Sequence, residues 1–197
     1  MPHGQAGSKV NPEINIADAA TEWDTLTTAL NRWGVLHVSP GRPRQVGIPR
    51  TAVDLCTRLM TSAEPRLQQA VIPLLMTHPM LAVDARAAIA HLEGTQRDRA
   101  MRRYVAAAAM QRMARTRLTH CLGTRQLLPP CFLADLGLPS LDEDFGQATL
   151  WALAEQEQIR YGYDAWGTYH TLLDLLLSEM RRGGWGEICD SAPTKLA

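Results

Sequence analysis

From Thr95 to about Leu122 the chain runs without a glycine or a proline, and its centre, Ala106 to Ala109, is four consecutive alanines. Alanine has the highest helix propensity, and a stretch this long with no breaker reads as one helix of about seven turns. A single long helix must bury a face against something. We therefore expect the rest of the chain to pack around it as an all-α bundle.

The flanking segments carry the same 3- and 4-residue apolar spacing. Ala19, Trp23, Leu26, Leu30 and Trp33 draw one stripe that Gly34 terminates, and Ala52, Val53, Cys56, Leu59 and Met60 draw a second. Ser62 caps a following helix with Glu64 and Pro65 in its first turn, and Pro73 must kink or split it. Pro79 opens another helix that reaches about Leu92. Ser140 and Glu143 form a capping-box pattern ahead of a helix to about Ile159. A last helix spans Asp164 to Arg182 with Trp166, Tyr169, Leu173, Leu176 and Met180 on its apolar face. The expected architecture is a single domain over 15–182 with six or seven helices, and a two-stranded ribbon near 35–48 is the one alternative to a plain loop there. Residues 1–14 and 183–197 read as flexible tails.

With 197 residues, 46% of them apolar and 20% charged, the chain can bury a core without disulfide or metal staples. Its formal net charge of zero conceals a split. Residues 1–134 hold 16 basic against 9 acidic groups, a surplus of +7, and residues 135–197 hold 4 against 11, a deficit of −7. Such polarity suits docking to another protein. Four cysteines without a C-x-x-C pair, and an N-terminus without a signal peptide, point to a reducing cytoplasm. The best apolar run, Leu172 to Leu177, is interrupted by Asp174, so no membrane span is expected.

Motifs of chemistry are sparse. Gly4 to Lys9 lacks the glycine spacing, the adjacent lysine and the preceding strand of a phosphate loop. The six histidines show no ligand spacing, so neither a metal nor another cofactor is implied. His120 and Cys121 are helix neighbours that point about 100° apart, which does not make a nucleophile pair. Gly41-Arg42-Pro43 has the core of a minor-groove arm, but Pro40 stands where such an arm needs an arginine.

The arginines of the long helix carry the functional argument. On a helical wheel Met101, Tyr104, Val105, Ala108, Leu118 and Leu122 form the expected core stripe, and Arg112 and Arg115 fall on it. Buried arginine needs a partner. The expectation is an ion pair with a carboxylate of the acidic C-terminal third, with Glu155, Glu157 and Asp164 as candidates. Otherwise Arg112 and Arg115, with Gln111 and Tyr104 beside them, bind a protein partner or an anion. Arg99, Arg102, Arg103 and Arg117 lie on the opposite side and read as a solvated basic face.

Tyr104-Val-Ala-Ala-Ala-Ala-Met-Gln-Arg112, followed by Arg115-Thr-Arg-Leu118, Leu136-Gly-Leu-Pro139 and Phe145-Gly146, resembles a group of bacterial helical proteins of unassigned activity, over roughly residues 100–155. The resemblance implies a partner of nucleotidyltransferase-like proteins, as an antitoxin is to its toxin. The first functional expectation is thus a non-catalytic protein-interaction or regulatory module, self-associating or with another protein. The second is a DNA-binding regulator using Arg42 and Arg44 with the Arg99, Arg102 and Arg103 face. The third is an enzyme holding an anionic substrate at Arg112 and Arg115.

Overall fold

The computed structural model describes residues 16–35, 49–123 and 126–182, with the backbone alone for 16–21. Among them no strand occurs, and the protein is all-α as expected. The expected ribbon near 35–48, Arg42 and Arg44, and both tails lie outside the described residues.

Helix α1 (Ile16–Arg32) ends where Gly34 adopts φ +76°. Helix α2 (Ala52–Thr61) begins at Thr51, whose hydroxyl accepts from the Asp54 amide at 3.0 Å. Pro73 does split the next helix, but the break falls at Ala70, between α3 (Pro65–Gln69) and α4 (Val71–Thr77). The split puts Pro73 in the first turn of α4, where its missing N–H leaves no bond unmade. A 3-10 turn at Pro79–Leu81 leads into α5 (Ala82–Ala90).

The long central stretch is α6 (Gly94–Met113) and α7 (Arg115–Leu122), separated by a non-helical Ala114. A wheel with one apolar stripe does not describe α6. Every residue from Tyr104 to Gln111 is buried, so its middle has no solvent face. The alanine run makes this possible, because methyl side chains let α4 and α5 approach one side while α9 (Gln147–Tyr161) approaches another. At Gly146 the approach is closest. A Cβ there would lie 2.8 Å from the carbonyl oxygen of Ala109.

A short α8 (Leu133–Leu136) interrupts the connector after α7. The capping-box expectation at Ser140 fails: the Ser140 hydroxyl accepts from the Asp142 amide, Glu143 opens a 3-10 turn, and α9 starts only at Gln147. Thr149 ties the segment down instead, its hydroxyl bonding the carbonyls of Pro139 and Ser140 at 3.2 and 3.0 Å. Helix α10 (Ala165–Arg182) closes the bundle against α9 and α7, burying Tyr169, Leu173, Leu176 and Met180 as its spacing predicts. Among the described residues no helix is long and apolar enough to cross a membrane.

Candidate functional site

Three residues singled out on the central helix do structural work for the connector at 126–132. Tyr104 is fully buried, donates to the Pro129 carbonyl at 3.3 Å and packs edge-on against Phe132 at 5.3 Å. The buried Gln111 accepts from the Leu128 amide at 2.7 Å and donates to the carbonyls of Met76 and Gln126 at 3.1 and 3.3 Å. Both side chains, named from the sequence as binding residues, are buried and bonded within the protein.

Arg112 is half-buried and donates through Nη1 to the carbonyls of Ala108 and Leu128 at 3.0 and 3.3 Å. Burial lowers its guanidinium pKa, with Asp142 and Tyr104 opposing the shift. The expected carboxylate pair with Glu155, Glu157 or Asp164 is not what holds it; backbone oxygens are. Arg115 lies on α7, past the Ala114 break, and is exposed. Together they line a groove of about 820 Å³ with Thr116, Thr119, Asp144 and Phe145. Phe145 is 79% exposed, and it and Asp144 sit consecutively in left-handed backbone, at φ 54° and 45°.

Half of the face read as solvated and basic is drawn into the protein. Arg99 and Arg117 are exposed, but Arg102 is 5% exposed and paired with Asp98 one turn earlier, Nε to Oδ2 at 3.0 Å, while its Nη1 donates to Gln156 at 3.1 Å. Arg160 and the Tyr161 hydroxyl reach the same Asp98 oxygen at 3.0 and 3.2 Å. Arg102 thus commits Nε and Nη1 within the protein, and Arg103 is half-buried with Nη2 donating to Gln68. Of the arginines named for DNA contact on this helix, Arg102 is drawn under α9, Arg103 is held by Gln68 of α3, and Arg99 stays exposed.

Beside these residues lies a second polar cluster, which sequence reasoning did not assemble. Glu157, named only as a counter-charge for Arg112 or Arg115, is 5% exposed, and its Oε2 accepts from Tyr169 at 2.6 Å and Tyr163 at 2.9 Å. Burial, and then the carboxylate, push both phenols well above the ordinary tyrosine range. Arg103 stands in the same cavity; burial lowers its pKa and the charge of Glu157 props it up. The available signal was Glu157 itself, which continues the α9 stripe of Leu150, Leu153 and Ala154 and so had to be inside.

No group of three or more His, Cys, Asp and Glu side chains that could hold a metal occurs among the described residues. Cys56 is fully buried, and desolvation, with the charge of Asp84, pushes its thiol up to about 12, far from a nucleophile's range. No protein-family model, curated protein or solved structure matches the chain.

Proposed function

We propose that the protein is a non-catalytic interaction module that docks a partner protein on the groove formed by Arg112, Arg115 and Phe145. The observation that carries this reading is Phe145. Left-handed backbone costs a non-glycine residue about 1–3 kcal/mol, and here two in succession bear it. The ring so positioned is 79% exposed, so burial within the chain does not offset the strain. An exposed phenyl sharing one groove with two arginines has the composition of a binding anchor, since aromatic residues and arginine are enriched where interface energy concentrates.

The complementary surface is an apolar pocket flanked by carboxylates, which would take the ring and the guanidinium of Arg115. Arg112, Arg115 and Phe145 all belong to the stretch that resembles bacterial helical proteins, and a nucleotidyltransferase-like protein is the partner class that resemblance suggests. The test is site-specific photocrosslinking in cells that make the protein. Benzoylphenylalanine at 145 should give one defined adduct, absent when the probe sits at exposed Val83 on α5. Arg112→Ser with Arg115→Ser should remove it. An adduct pattern identical at both positions rejects the docking surface.

A further inference from the structure

The cavity between α3, α6, α9 and α10 measures about 460 Å³, within the range of small-molecule sites. Its wall holds a buried carboxylate, Glu157, and a half-buried guanidinium, Arg103, which bond other groups and not one another. Both hydrogen bonds to Glu157 fall on Oε2, which leaves Oε1 outside the tyrosine pair. Nη1 of Arg103 is buried and has no hydrogen-bond partner among the described residues. An unmade bond on a buried donor is unfavourable, so a guest that supplies an acceptor recovers that loss by drawing the guanidinium toward the cavity it already borders.

The mouth adds a flat platform. Tyr161 and Tyr163 stack with ring centres 6.4 Å apart and planes 27° off parallel; the Arg99 and Arg160 guanidinium groups lie 5.1 and 5.7 Å over the Tyr161 ring, so Tyr163, 40% exposed, is the ring left open to a planar guest. Aromatic faces beside an arginine favour a planar ring, and the exposed Arg99 favours an anionic group next to it. A guest that satisfies both groups carries a donor for Glu157 and an acceptor for Arg103 on one ring. An N–H beside a C=O meets this demand, because a carbonyl oxygen is a better guanidinium acceptor than a ring nitrogen.

We infer that the cavity binds an oxo-base nucleotide of the guanine or uracil type, its N–H on Glu157, its carbonyl on Arg103 and its phosphate at Arg99. The site is separate from the Phe145 groove and stands or falls without it.

Calorimetric titration of the full chain with GMP, UMP, AMP and inorganic phosphate tests this. At least one of GMP and UMP should bind saturably at one site, with AMP at least tenfold weaker and phosphate alone silent. Glu157→Gln and Arg103→Met should each weaken binding at least tenfold, and Arg99→Ala should weaken the nucleotide while leaving the nucleoside unchanged. Ring-proton shifts of Tyr161 and Tyr163 on titration of the unmodified chain give a readout that needs no variant. Silence of GMP and UMP at millimolar concentration overturns the inference. So does equal binding of AMP or of phosphate alone, or unchanged binding in a folded Glu157→Gln protein.

Discussion

Gln111 and Leu128 meet inside the protein, the side-chain Oε1 of one accepting the main-chain N–H of the other at 2.7 Å. The amide end of Gln111 simultaneously holds the carbonyls of Met76 and Gln126. One side chain thus ties α4, α6 and the connector together, three backbone groups that helix and sheet ladders leave unpaired. Gln111→Leu keeps the volume but removes every one of these bonds. With a cost of about 1–3 kcal/mol per stranded buried group, and some recovery through water, the variant should lose about 3 kcal/mol in urea denaturation. A loss below about 1 kcal/mol would show that the connector does not depend on α6.

The pair Asp98–Arg102 makes stability depend on pH in a defined direction. Burial works against ionisation of Asp98, but the hydrogen bond and charge of Arg102, the charge of Arg160 and the Tyr161 hydroxyl outweigh it and hold the carboxyl below its ordinary value. A carboxylate held low adds stability above its unfolded value, about pH 4, and loses it as pH falls through the lower folded value. Asp98→Asn leaves the guanidinium of Arg102 buried with Gln156 as its remaining side-chain partner. It should lose about 2–3 kcal/mol at pH 7, short of the ~3–5 kcal/mol of a fully buried pair because Asp98 retains some solvent contact. The gap to the unmodified protein should narrow steadily below pH 4. A pH-independent gap would mean that the carboxylate's charge contributes nothing.

Arg112 and Arg115 should separate cleanly in denaturation. Arg112→Met removes two hydrogen bonds to main-chain oxygens and should cost about 1–2 kcal/mol. Arg115→Met, on an exposed side chain of α7, should stay within about 0.5 kcal/mol. Losses of several kcal/mol at either position would restore the buried ion pair that the wheel suggested.

How much of this could be read beforehand follows from how many faces each helix buries. Helices α1, α2 and α10 bury one stripe, and Trp33, Leu59 or Leu176 lie where a 3.6-residue period puts them. Helix α6 is enclosed on all sides over Tyr104–Gln111, so period carries no information there, and the polarity of Arg102 or Gln111 misleads. What marked the enclosure was the alanine run, which fits a helix approached closely from several directions. The cavity at Glu157 was hidden for another reason. Its groups come from Gln68, Arg103, Glu157 and Tyr169, more than a hundred positions from first to last, and only the placing of α3, α9 and α10 beside α6 collects them. Left-handed backbone at Asp144 and Phe145 had no signal at all, because neither residue is a glycine and the capping-box pattern beside them argued for helix.

That strained turn allows stability and binding to be separated in one short segment. Gly146 has φ +88°, and a Cβ would press within 2.8 Å of the Ala109 carbonyl oxygen. Backbone cannot yield as a flexible side chain does, so Gly146→Ala should cost at least about 2 kcal/mol through strain and the displaced α6 contact. At the preceding positions the sign reverses. Asp144→Gly and Phe145→Gly each place in left-handed backbone the one residue that adopts it freely, and each should stabilise by up to about 1 kcal/mol, partly offset by glycine's greater chain entropy. Both variants relieve strain, yet only Phe145→Gly removes the exposed ring. If the ring anchors a partner, Asp144→Gly should retain binding while Phe145→Gly, equally stable, loses it. Measured melting temperatures set beside crosslinking yield, with the probe at the exposed groove residue Thr119 in both variants, decide the matter. Equal yields would leave the strained turn without a binding role.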